Sequence, residues 1–136
     1  MSTTAKKRYE VMDRLNTLGI AYDDACQLRR ISLTLRRWFE LECGDGYGCI
    51  ERDEATNKPY YTPSMMSNGW TPKRRAIPDR ESGAKLRLGK IMARYPHLTP
   101  YVQTDPRGSS LYLLTSQQQV EGRTIDTYYS NGTAIY

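Results

Sequence analysis

Histidine is almost missing from this chain: His97 is the only one among 136 residues. One imidazole leaves little for acid–base or nucleophilic chemistry, and its place between Pro96 and Leu98 reads as an exposed turn. A Cys–His couple is the one catalytic pairing left open, because such partners meet in space rather than along the sequence. The three cysteines, Cys26, Cys43 and Cys49, do not spell a zinc site. Structural zinc takes four closed ligands from tight pairs, whereas Cys43 and Cys49 are six apart and Cys26 falls on a predicted helix. Buried, inert thiols are the expectation.

A glycine-rich phosphate loop is also lacking, since Gly44, Gly46 and Gly48 follow a predicted helix instead of a strand. No apolar run approaches the roughly 18 residues that a membrane span requires. The opening Met-Ser-Thr-Thr-Ala-Lys-Lys-Arg is polar and basic, with no apolar run behind it. Reduced thiols and a cytoplasmic location follow as expectations. These absences argue against an enzyme, a metal, a cofactor or a membrane partner, and leave binding as the expected role.

What the chain has is concentrated positive charge. Between Lys73 and Arg94 lie eight cations (Lys73, Arg74, Arg75, Arg80, Lys85, Arg87, Lys90, Arg94) and two acids, Asp79 and Glu81. That segment carries +6 while the whole chain carries +5, so everything outside it carries −1. A localised surplus of this kind suits a polyanion or an acidic protein surface. Tyrosine is the other excess, eleven against a single phenylalanine, and its ring with a polar tip suits sheet faces and interfaces.

At this length, with 38% hydrophobic and 26% charged residues, one domain over 1–136 is expected, large enough for its own core. Val11, Met12, Leu15 and Leu18 fall at helical spacing before Gly19, and Ala25, Leu28, Ser32, Leu35 and Phe39 trace a second helical face, flanked by Ile31 and Trp38. The short link predicts an antiparallel helical hairpin over 4–43. Segment 44–77 reads as irregular, holding a small hairpin with arms Cys49–Arg52 and Pro59–Thr62 and turn residues Ala55–Lys58. A basic helix is predicted over 78–95, capped by Asp79 or Ser82, with Leu86, Ile91 or Met92, and Tyr95 towards the core. Segment 98–136 reads as a small antiparallel sheet of about three strands: Tyr101–Thr104, a type I turn Asp105-Pro106-Arg107-Gly108, Leu111–Leu114, and a last strand Thr133–Tyr136 after Asn131-Gly132. A short helix is read around Ile125, Tyr128 and Tyr129. The expected class is α+β.

Lesser constellations follow. Arg29-Arg30 and Arg36-Arg37 repeat at a seven-residue interval, placing a basic waist on the second helix between acidic ends. Such banding favours salt links within the molecule. Glu40, Glu42, Asp45, Glu51, Asp53 and Glu54 form an acidic patch whose spacing fits no calcium loop, so pairing with the basic segment is expected. Arg107 at the hairpin tip, with Ser109 and Ser110, offers a possible grip on phosphate, although Asp-Pro-x-Gly is what the turn itself needs. Trp70 or a tyrosine could stack on a base.

Three stretches add a lineage. Glu51 to Tyr61 (ERDEATNKPYY), Ile91 to Pro96 (IMARYP) and Tyr101 to Gly108 (YVQTDPRG), with the closing Tyr128-Tyr129 and Ala134-Ile135-Tyr136, resemble a group of small bacteriophage and prophage proteins. The resemblance covers most of the chain, from about Asp13 onward, and assigns no catalytic residue. It implies an accessory phage protein, and such proteins often bind a host macromolecule or nucleic acid and block host defence. Three readings result. The first is a non-enzymatic inhibitor of a host nucleic-acid-targeting defence protein or ribonucleoprotein, anti-CRISPR-like, acting through basic residues. The second is a direct DNA or RNA binder. The third is a nucleotide-signal binder or small enzyme built around the Asp105–Ser110 hairpin.

Overall fold

The computed structural model describes residues 3–64, 69, 73–114 and 132–136. It is an α+β fold with a helical N-terminus and two small antiparallel sheets. The predicted helix around Ile125, Tyr128 and Tyr129 lies outside the described residues, as does Trp70.

Helix α1 spans Thr3–Thr17. It ends in a Schellman motif: the Ile20 amide donates to the Leu15 carbonyl at 3.1 Å, and the Gly19 amide to the Asn16 carbonyl at 2.9 Å. Gly19 takes φ +92°, the left-handed conformation that the motif demands and that glycine adopts without steric cost. Ile20 and Leu15, both buried, supply the accompanying apolar contact. After a link of four residues the chain enters α2, Tyr22–Cys43, with Asp23 and Asp24 in the first turn, where the helix dipole favours carboxylates.

The inner face of α2 is Ala25, Leu28, Ile31, Ser32, Leu35 and Trp38, all buried. Ser32 is the polar member of that set. Its hydroxyl accepts the Leu111 amide at 3.0 Å, so a group that burial would otherwise penalise instead pins a strand onto the helix.

Strands β1 (Gly48–Arg52), β2 (Pro59–Pro63) and β3 (Arg75–Ala76) form the first sheet in that order. Tyr61 pairs with Ile50 on one side and Arg75 on the other. The β1–β2 turn is built by Asp53, whose carboxylate accepts the Ala55 and Thr56 amides at 2.9 and 3.0 Å, and by Asn57 at φ +59°. The two-residue β3 corrects the irregular reading of 44–77.

Helix α3 spans Arg80–Arg94 and a 3-10 turn spans Pro96–Leu98. Strands β4 (Val102–Thr104), β5 (Leu111–Leu114) and β6 (Gly132–Ala134) form the second sheet in sequence order. The type I turn is as predicted: the Gly108 amide donates to the Asp105 carbonyl at 3.0 Å, with Gly108 at φ +72°. One core joins α1, α2, α3, the 3-10 turn and the second sheet through Leu15, Leu28, Ile31, Leu35, Ile91, Leu98, Leu111, Leu113 and Ile135.

In α3 the core-facing set is Ala84, Leu88, Ile91, Met92 and Tyr95, whereas Leu86 is 64% exposed. The expectation for Leu86 is wrong by a phase. It lies more than a right angle around the helix from Ala84 and Ile91, at about 100° per residue. Among the described residues no helix is long and apolar enough to cross a membrane.

Candidate functional site

The basic segment begins with a clamp. Asp79 caps α3, its Oδ1 accepting the Ser82 amide at 3.0 Å and its Oδ2 the Ser82 hydroxyl at 2.8 Å. Arg52, at the end of β1, closes on the same carboxylate with both terminal nitrogens, at 2.9 and 3.0 Å. The fork also donates to Glu81 at 3.2 Å and to the Asn57 carbonyl at 2.9 Å, and its guanidinium carbon sits 5.4 Å from the Trp38 ring centre. Arg52 therefore ties α2, the β1–β2 hairpin and the start of α3 into one unit. The Arg52 hydrogen bonds, with those from Ser82, hold the Asp79 carboxyl well below the usual carboxylate range, against the opposing effect of partial burial.

Beyond the clamp the helix sorts its cations by angle. At about 100° per residue, Arg80, Arg87, Lys90 and Arg94 fall within an arc of about 80°, with Gly83 between the first two. The stripe is about 20 Å long at 1.5 Å per residue. All four side chains are exposed. Arg94 pairs with Asp24 of α2 at 3.2 Å while remaining 60% exposed. Among the described residues, Arg80, Arg87 and Lys90 make no ion pair. Lys85 stands on the other flank, paired with Glu81 at 3.7 Å.

Upstream, Lys73, Arg74 and Arg75 are exposed on and beside β3. Arg74 lies over the Tyr60 ring, 4.3 Å from its centre, and Arg75 over Tyr61 at 5.3 Å. Cation–π contacts of this kind hold long side chains in place without neutralising them. Arg74 also shares a shallow cleft with Asp53 and Glu54. The expected pairing of the acidic patch with the basic segment fails: among the described residues no carboxylate of the patch forms an ion pair with Lys73–Arg94, and Arg74 shares only the cleft. The stronger ion pairs run the other way, from Arg52 to the basic segment's own two acids.

The secondary residues divide. Arg36 and Arg37 are exposed and both reach Glu40, at 3.3 and 3.7 Å, the internal salt links expected of a banded helix. Arg30 is exposed, but Arg29 is half-buried, with its Nε out of contact with water and without a partner among the described residues. It sits closer to the buried edge of α2 than the other three. Arg107 is exposed at its hairpin tip, in a cleft of about 310 Å³ with Arg36 and Tyr136. The Asp105 carboxylate in that hairpin is taken up by the turn, accepting the Ser109 amide at 2.7 Å and the Ser109 hydroxyl.

His97 is exposed and donates from Nε2 to the Leu18 carbonyl at 2.6 Å, latching the 3-10 turn to the end of α1. The cysteines are free; Cys43 is exposed and Cys26 and Cys49 are half-buried, so the expectation of buried thiols fails. Among the described residues no three His, Cys, Asp or Glu side chains gather as metal ligands.

A second feature has no counterpart in the sequence reading. Between α2, the first sheet and the entry to α3 runs a mostly apolar groove of about 630 Å³. Trp38, Leu41, Ile50, Tyr61 and Ile77 line it, and Arg37, Arg75 and Arg80 reach it from three different elements. Comparison with protein-family models, curated proteins and solved structures finds no match for this chain.

Proposed function

We propose that this chain is a non-enzymatic binding protein whose cationic α3 flank docks on an acidic surface of a host nucleic-acid-targeting machine. The observation that carries the reading is the exposed stripe of Arg80, Arg87, Lys90 and Arg94, in which Arg94 alone has an ion pair among the described residues. Arg87, Lys90 and Arg94 follow one another at about 4.5 and 6 Å along the helix axis, inside the Debye length of about 8 Å at physiological ionic strength, so these three act on a partner as one patch, with Arg80 about 10 Å further along. The net charge of +5 argues against mimicry of DNA, which would require an acidic surface. The resemblance to phage accessory proteins supplies the host and the defensive context.

Direct binding of DNA or RNA through the same stripe is the second reading, favoured by arginines and a lysine that present donors along a line. No helix-turn-helix or other reading module accompanies them among the described elements, so binding of this kind would be insensitive to sequence.

Capture from nuclease-treated lysate of a bacterial host tests the first reading. The wild-type chain should retain one stoichiometric partner that Arg87→Glu/Lys90→Glu loses. Equal recovery by both chains, or no partner, refutes it. Oligonucleotide binding followed by anisotropy tests the second, with log K falling by about 0.7–0.9 per phosphate contacted for each decade of salt. No binding at low salt removes it.

A further inference from the structure

We infer that the groove between α2, the first sheet and the entry to α3 is a peptide-docking site for an acidic segment of the partner, anchored by a large apolar side chain. The inference rests on the proposed reading of the chain as a binder of an acidic protein, and adds a second contact that meets the α3 stripe only at Arg80.

Size and chemistry fit such an occupant. The volume of about 630 Å³ lies inside the ~300–1,000 Å³ range of ordinary ligand sites. Along α2 the groove follows Leu33, Arg37, Trp38 and Leu41, a run of about 12 Å at 1.5 Å per residue. That length matches about four residues of extended chain. Leu33 is 40% exposed at its rim, an apolar side chain that α2 does not need for its own packing.

Charge selects the sequence of that segment. Three guanidinium groups border the groove, from Arg37, Arg75 and Arg80, against the single carboxylate of Asp45. One Asp45 oxygen already accepts the Tyr47 amide at 2.9 Å. Arg80 has no ion pair among the described residues, and Arg37 has only a long contact to Glu40 at 3.7 Å. A basic or neutral peptide would leave this field unanswered; carboxylates beside an apolar anchor answer it.

A nucleotide fits less well. Base recognition wants an open aromatic face, yet Trp38 is 3% exposed beneath the Arg52 guanidinium, and one face of Tyr61 is covered by Arg75.

The test is selection of a random dodecapeptide library on the immobilised full chain. Enriched peptides should carry a large apolar residue with at least two carboxylates within about four positions. Their affinity should fall about tenfold or more on Arg37→Glu/Arg80→Glu and on Leu33→Asp, all exposed positions at which circular dichroism should show the fold retained. It should hold on Arg87→Glu/Lys90→Glu. No enrichment, enrichment of basic sequences, or peptides indifferent to both groove variants would overturn the inference. So would AMP binding that shifts the Trp38 indole resonance, which would reassign the groove to nucleotides. If the groove fails while host-partner capture still depends on Arg87 and Lys90, the proposed function stands alone; the reverse pattern removes the α3 stripe and keeps the groove.

Discussion

Replacing Arg52 with alanine should cost far more than an ordinary surface arginine does, because its fork is shared by three parts of the fold. The side chain is only 23% exposed, and its partners Asp79 and Glu81 are 30% and 22% exposed, so solvent screens the cluster incompletely. A hydrogen bond to a charged group contributes about 1.5–3 kcal/mol when buried, and an exposed ion pair about 0–1 kcal/mol. The Arg52–Asp79 pair lies between these limits, with the Asn57 carbonyl and the Trp38 ring adding to it. Together they suggest a loss of about 2–3 kcal/mol for Arg52→Ala. For a chain of this size each kcal/mol moves the melting temperature by about 3–5 °C, so the expected fall is about 6–15 °C by calorimetry. Arg52→Lys keeps the charge but not the fork and should recover less than half of the loss.

The pH dependence carries a sign. Asp79 is held below its unfolded value, so its contribution is complete above the ordinary carboxylate range. It is lost as the pH falls from about 4 towards the depressed folded value. The gap between wild type and Arg52→Ala should therefore narrow on acidification. A fall of less than about 2 °C, or Arg52→Lys behaving as wild type, would refute the reasoning.

Other perturbations should separate fold from function. Ser32→Ala leaves the Leu111 amide buried without its acceptor and should destabilise by about 1–3 kcal/mol, measured by urea unfolding. Gly19→Ala should cost about 1 kcal/mol in the same assay, because φ +92° strains any side chain, while the added Cβ meets His97 only at an ordinary 3.8 Å. Tyr95→Phe removes the 2.6 Å hydrogen bond to Asp24 that ties the end of α3 to α2, and should destabilise by about 1 kcal/mol. Arg87→Glu/Lys90→Glu should leave the melting temperature within about 2 °C of wild type, since neither side chain has an ion-pair partner among the described residues.

Local chemistry made much of the fold legible. Gly19, Asp79 and Asp105-Pro106-Arg107-Gly108 each announce a helix end, a cap or a turn, and each does that work in the structure. Leu86 departs from the expectation because an apolar residue in a helix reaches the core only at the phase of Ala84, Leu88 and Ile91, and Leu86 stands off that phase. Strand β3 was not visible because two residues carry no periodicity; it exists because β2 offers Arg75 and Ala76 an edge to pair with. The cations of α3 could be counted in advance, and simple helical geometry gathers four of them on one flank. Neither the Arg52 clamp nor the groove could be found that way. Arg52 meets Asp79 across 27 positions, and Arg37, Arg75 and Arg80 converge only once α2, the first sheet and α3 are packed.

The most direct test of the central claim is retention of the native host partner over a salt series, comparing the wild-type chain with Arg87→Glu/Lys90→Glu. A partner held at low ionic strength, released progressively as salt rises, and never held by the variant is the predicted result. Retention that ignores both salt and the charge reversal would contradict a cationic docking face on α3.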